Sequence, residues 1–114
     1  MTVDGICDLY RCLADPTRLR MLNLLREGSL CVCHLQSLLG EAQVKVSKHL
    51  AYLKSHGVVS SERRSNWMIY SITDEAAPLL DGHLSDLRKF GSKTSTLAAD
   101  LKRLDKADLS ALCC

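Results

Sequence analysis

Six cysteines fall into three groups: Cys7 and Cys12 near the start, Cys31 and Cys33 two residues apart, and the adjacent pair Cys113 and Cys114. The long stretch between Cys33 and Cys113 has none. Such clustering fits soft-metal ligation or thiol chemistry better than random filling of a core. In a reducing compartment it does not read as a disulfide framework. The second chemical signature is electrostatic. Net charge is only +2, yet between Gln43 and Tyr70 the basic residues Lys45, Lys48, Lys54, Arg63 and Arg64 face the single acid Glu62. From Ser71 onward, six basic residues meet seven acids. Concentrated positive charge is an electrostatic footprint for phosphates, and it is equally the mark of a solvated basic face. Charge alone leaves the two readings even.

The elements that must position these groups fit in one domain, residues 1–114, since the chain is long enough for one core and too short for two. Aromatic residues are scarce, so the core must be built from Leu, Val, Ile and Ala, a mixture suited to packed helices. The N-terminal residues carry neither a basic start nor a long apolar run, and no segment reaches the length of a membrane span. The expected compartment is the cytoplasm, with no membrane partner.

Hydrophobic spacing predicts a first helix over Ile6–Ala14, with Cys12 on its packing side. Asp15-Pro16 ends it and caps a second helix over Pro16–Arg26, which Gly28 closes. A short third helix is predicted from about Cys31 to Leu39, followed by a tight turn at Gly40. The fourth runs from about Ala42 to His56 with Val46, Leu50 and Leu53 facing inward and Gly57 as its stop. The period then changes. Val58–Arg63 and Trp67–Ile72 are β-prone runs flanking a turn at Arg64-Ser65-Asn66. A long helix-prone region follows, its continuity interrupted at Gly82 and Gly91. The expected fold is mainly α with a small β-hairpin, a winged helix-turn-helix.

In that layout the second helix of the pair enters the major groove and its N-terminal residues meet base edges. Here these include Gln43, Lys45, Ser47, Lys48 and His49. Gln pairs bidentately with adenine, Lys reaches guanine, and Ser adapts to either. Lys54 is suited to phosphate, and Arg63, Arg64 and Asn66 sit at the hairpin tip. An ordinary amphipathic surface helix would show the same period, and His49 beside Leu50 would equally satisfy a packing edge. The tight turn, the charge asymmetry and the hairpin together decide for DNA.

Leu13-Ala14-Asp15-Pro16-Thr17-Arg18-Leu19-Arg20, Leu30-Cys31-Val32-Cys33-His34-Leu35, Ser47-Lys48-His49-Leu50-Ala51-Tyr52-Leu53 and Gly57-Val58-Val59 occur in this order. Together, over roughly residues 8–73, they resemble the ArsR/SmtB family of metal-responsive repressors. The resemblance implies a homodimer that binds operator DNA when free of inducer and releases it on binding a metal or metalloid. It also implies a dimer interface of the first and last helices, about 5–14 and 75–112. Cys31-Val32-Cys33 resembles the thiolate site of the arsenic-responsive branch, which implies As(III) or Sb(III) as inducer and no organic cofactor. The third cysteine usual in that branch is here Gln36. Cys113, Cys114 and Cys7 are candidate further ligands. Asp81-Gly82-His83 matches half of a family zinc site, but no histidine follows His83, so His83 reads as a solvated interface residue.

On a helix, residues two apart point about 200° away from each other. Cys31 and Cys33 therefore cannot both reach one ion while that turn stays helical, so ligation by both must distort or unwind the start of the third helix. Soft thiolates also suit Cd, Pb or Zn, and oxidation of a cysteine pair is a further way to switch the same fold. An enzyme is not expected: there is no phosphate-cradling loop beside a cysteine and no Cys-x-x-Cys motif.

Overall fold

The computed structural model describes residues 1–90 and 96–112. Ten elements follow in order: α1 (Val3–Leu13), α2 (Pro16–Leu25), β1 (Leu30–Cys31), α3 (Val32–Leu39), α4 (Gln43–Ser55), β2 (Val59–Arg64), β3 (Trp67–Ile72), α5 (Ala77–Phe90), α6 (Thr96–Lys106) and α7 (Leu109–Leu112). Among the described residues, no helix is long and apolar enough to cross a membrane.

Local chemistry explains most boundaries. The Asp15 carboxylate accepts a hydrogen bond from the Arg18 N–H at 3.0 Å, and Pro16 occupies the first turn of α2, where its missing N–H costs nothing. Gly40 ends α3 at φ +67° and Gly57 follows α4 at φ +72°, left-handed conformations that favour glycine. Val46, Leu50 and Leu53 of α4 are fully buried against Leu22, Leu24 and Leu35 in one core.

The sheet is antiparallel in the order β1-β3-β2. β2 and β3 form a hairpin closed by the two-residue turn Ser65-Asn66, with Ser65 at φ +57° as such turns require. The two-residue β1 was not anticipated: Leu30 pairs with Tyr70 and Cys31 with Ile69. The third helix therefore begins at Val32 rather than Cys31. Among the described residues, the region after Ile72 holds three helices, as the expected interruption of its continuity allows. Gly82 lies inside α5 without breaking it, and Gly91 lies outside the described residues. α6 packs on α2 and α3, and α7 on α3, so the C-terminal segment forms an arm folded back over the protomer.

Candidate thiolate site and nucleic-acid interface

Cys31 ends β1 in extended conformation (φ −90°, ψ 169°) and serves as N-cap of α3, while Cys33 lies in the first helical turn. This corrects the expectation that the two thiols diverge by 200°. Because Cys31 is held by the sheet and not by the helix, the two side chains converge, and their Sγ atoms are 2.9 Å apart. Two thiolates on one ion, each about 2.3 Å from it in the case of zinc, lie at most about 4.6 Å apart. The two sulfurs therefore lie within the span that one ion can bridge while Cys33 stays in its helical turn.

His34 completes the turn. The Cys31 N–H donates to its Nδ1 at 3.1 Å, which fixes the ring proton on Nε2. Nε2–H then donates to the Leu109 carbonyl of α7 at 2.9 Å. Sequence reasoning missed this residue, although Cys31-x-x-His34 has the spacing of a capping box. Two recesses open beside the pair. One of about 300 Å³ is lined by Cys31, Cys33, Gln36, Gln43 and Asn66, with Trp67. The other, about 360 Å³, lies between Cys31, His34, Trp67 and Leu109. The first puts the thiols, the start of α4 and the hairpin tip on one surface.

The other candidate ligands separate. Cys12 is fully buried, and that burial pushes its thiol pKa up, which keeps it a protonated packing group. Cys7 is exposed on α1. Cys113 and Cys114 lie outside the described residues. Among the described residues no group of three or more His, Cys, Asp or Glu converges on one point. Asp81 binds Arg26 at 3.1 Å, whereas His83 meets the Tyr10 hydroxyl at 3.2 Å, so the two halves of the partial zinc motif serve different contacts.

Of the residues assigned to DNA, Gln43, Lys45, Ser47 and Lys48 are exposed along the first half of α4, together with Val44, which is 80% exposed. Arg63, Arg64 and Asn66 are exposed at the hairpin. Lys45 pairs with Glu41 at 3.2 Å and Arg64 with Glu62 at 3.3 Å, contacts light enough to exchange for phosphate. Lys54 donates to the Ser61 hydroxyl at 2.6 Å, tying the end of α4 to β2. The α4 N-cap is Ala42, which supplies no side-chain cap, so the helix presents N–H groups at its start.

His49 is placed differently from the rest. It is half-buried, 3.5 Å from Arg18 Nη1 and 3.9 Å from Asp15. Arg18 lies over the Tyr52 ring at 4.1 Å and also donates to the Cys12 carbonyl. These contacts seat α4 on the start of α2. The Arg18 backbone N–H, followed by burial and then the nearby His49 and Arg18 charges, sets the Asp15 carboxyl, with a net pKa below its ordinary value. The group therefore stabilises the fold above the unfolded pKa of about 4, and that stability is lost as pH falls through the lower folded value. We expect Asp15→Ala to cost about 1 kcal/mol at neutral pH. Urea titrations should show this difference shrinking in acid below about pH 4. A difference that is constant with pH would remove the carboxylate from the account.

The helix pair with its tight turn, the hairpin beside it and the exposed polar face of α4 define a winged helix-turn-helix DNA-binding protein. Residues 15–61 match the model of the bacterial regulatory protein arsR family. The chain is 42% identical over 77 residues to the arsenic resistance transcriptional regulator ArsR1 of Pseudomonas putida, covering 67% of this chain and 60% of that protein. It is 38% identical over 78 residues to the arsenical resistance operon repressor of Escherichia coli, covering 64% of this chain and 67% of that one. Its fold is similar to that of a homodimeric winged helix-turn-helix DNA-binding domain from Mycobacterium bovis, with TM-score 0.69 and 24% identity over 82% of this chain and 88% of that chain. The chain belongs to the arsR family of bacterial regulators, which are DNA-binding proteins and not enzymes.

Proposed function

We propose that this protein is a cytoplasmic, dimeric repressor that holds operator DNA when inducer-free and releases it when As(III) or Sb(III) is taken by its thiolates. The observation that carries the reading is the 2.9 Å approach of Cys31 and Cys33 at the junction of β1 and α3. Relatives whose names record arsenic resistance point to the same inducer. Arsenite exchanges hydroxyls for thiolates: each As–O bond is replaced by As–S, the thiol proton leaves with the hydroxyl as water, and no electrons are transferred.

Cys31 belongs to the sheet and Cys33 to the helix, so ligation by both links the wing strand β3, through β1, to α3. The short Gly40 turn joins α3 to α4. A change at the pair is thereby delivered to both DNA-facing elements, a two-state device of the kind a switch requires. The third thiolate is assigned to Cys113 or Cys114, because α7 packs on α3 and the sequence continues from it directly into those two residues. Cys7 has less support. The dimer interface is assigned to α1 and α5, which carry exposed Val3, Tyr10, Leu87 and Phe90. α6 and α7 are already packed within the protomer.

On DNA, Gln43, Lys45, Ser47 and Lys48 face base edges and phosphates, Val44 meets a thymine methyl, and Arg63, Arg64 and Asn66 reach the adjacent backbone or groove. Lys54 braces the wing and contributes charge, and His49 seats the helix. Lys48→Ala should weaken binding to a labelled duplex selected from a random pool and lower the salt slope by about 1. An unchanged slope would take Lys48 out of the phosphate-contacting set.

Native mass spectrometry of the fully reduced protein with arsenite tests the ligand set. One arsenic gained and three protons lost per protomer supports three thiolates. Retention of a hydroxyl on the bound arsenic limits the site to two, and no gain contradicts the reading. The sulfur contact also favours a second reading, in which a peroxide oxidises the pair: two thiols and one peroxide give one disulfide and two waters.

A further inference from the structure

The C-terminal arm touches α3 at both ends. At the far end, Arg103 of α6 donates from Nε to the Leu38 carbonyl at 3.1 Å, placing a cation at the helix C-terminus, where the dipole favours it. At the near end, the Leu109 carbonyl of α7 accepts from His34 Nε2 at 2.9 Å. The arm is itself anchored: Asp100 is 0% exposed and takes both Arg20 of α2, at 2.8 and 2.9 Å, and Arg103. Asn23 of α2 adds a bond to the Leu97 carbonyl at 3.2 Å. Alongside these bonds, Leu101, Leu104 and Leu109 pack against the core.

From this geometry we infer that the arm is a clamp on α3 and that His34 is the positioning residue through which it sets the two thiols. His34 bonds both to a cysteine of the pair and to the arm: its Nδ1 receives the Cys31 N–H and its Nε2 holds Leu109. With both bonds made, Cys31 stays extended as the helix cap, and Cys33 in the first turn meets it. Without them, the Cys31 N–H lacks its partner and the first turn loses its tie to α7. The pair is then no longer preorganised for one ion. Partners that orient ligands without touching the ion are worth about 10- to 100-fold in metal affinity. The inference rests on the thiolate reading above, and goes beyond it by making the C-terminal arm part of the inducer response.

The test uses the full, reduced chain and its single tryptophan. Trp67 lines both recesses beside Cys31, so its fluorescence reports arsenite at the pair without any DNA. His34→Ala should weaken arsenite binding by about 10- to 100-fold while leaving inducer-free operator affinity near wild type. His34→Gln should restore most of it, because glutamine at the third helical position accepts from the cap N–H and keeps an N–H donor for Leu109. Amide exchange at Val32–Leu35 and at α7 in inducer-free protein should rise together in His34→Ala and return in His34→Gln. Wild-type arsenite affinity in a folded His34→Ala protein would overturn the clamp and spare the thiolate reading. A wild-type protein whose Trp67 and mass are both unmoved by arsenite would overturn both.

Discussion

Cys31→Ser and Cys33→Ser proteins should bind operator DNA as tightly as wild type and stay bound when arsenite is added. Neither sulfur belongs to the DNA-facing set: Cys31 is 3% exposed and paired with Ile69 of β3, and Cys33 lines a recess that Gln43 also borders. Serine is close to cysteine in volume and keeps a hydroxyl that can cap α3. What it lacks is a soft donor, and a hard oxygen is a poor substitute for a thiolate on As(III). Loss of one of two clustered ligands should therefore raise the arsenite concentration for half-release by about 100-fold or more, at the upper end of the effects seen even for residues that only orient ligands. Operator binding and release by fluorescence anisotropy measure the two properties separately. A folded variant that fails to bind DNA would mean that the cysteines belong to the output and not the input.

The largest effect on stability is expected at Asp100. Its carboxylate is wholly buried, bound by two nitrogens of Arg20 and by Arg103, and it joins α6 to α2. Asp100→Ala leaves two guanidinium groups facing each other without the anion. Removing one partner of a buried pair costs about 3–5 kcal/mol. The lower end applies here, about 3 kcal/mol, because the Arg20 and Arg103 side chains are 20% and 49% exposed and keep some water. Urea unfolding with the slope held in common gives the value. A loss below about 1 kcal/mol would put the cluster on the same footing as an exposed ion pair. The Arg20 pKa is raised above its ordinary value chiefly by its hydrogen bond with Asp100.

Much of this was legible in the sequence where the determinants are local. Asp15-Pro16 caps α2 as its chemistry dictates, Gly40 and Gly57 stop their helices, and Val46, Leu50 and Leu53 repeat on one face of α4. The hairpin followed from the change of period at Val58. What escaped reading depends on distant partners. Two residues, Leu30 and Cys31, become a strand only because Tyr70 and Ile69 pair with them, and that pairing turns an apparently divergent cysteine motif into a convergent one. Asp100 carries no local signal of burial, because its partner Arg20 lies far back in the chain and only the fold brings the two together. For His49 the sequence allows either a base contact or a packing edge, and only Asp15 and Arg18, brought over from the start of α2, decide for packing. His34 had a local signal in its spacing from Cys31, but its second bond, to Leu109, had none.

The central claim is that thiolate ligation at Cys31 and Cys33 releases DNA. The most direct measurement is the anisotropy of a labelled operator duplex bound by reduced wild-type protein during addition of arsenite, with oxygen excluded. The account predicts a fall to the value of free DNA, restored by an excess of a competing small dithiol. Anisotropy that holds under reduction and falls only after peroxide would contradict it, and would assign the pair to redox sensing instead.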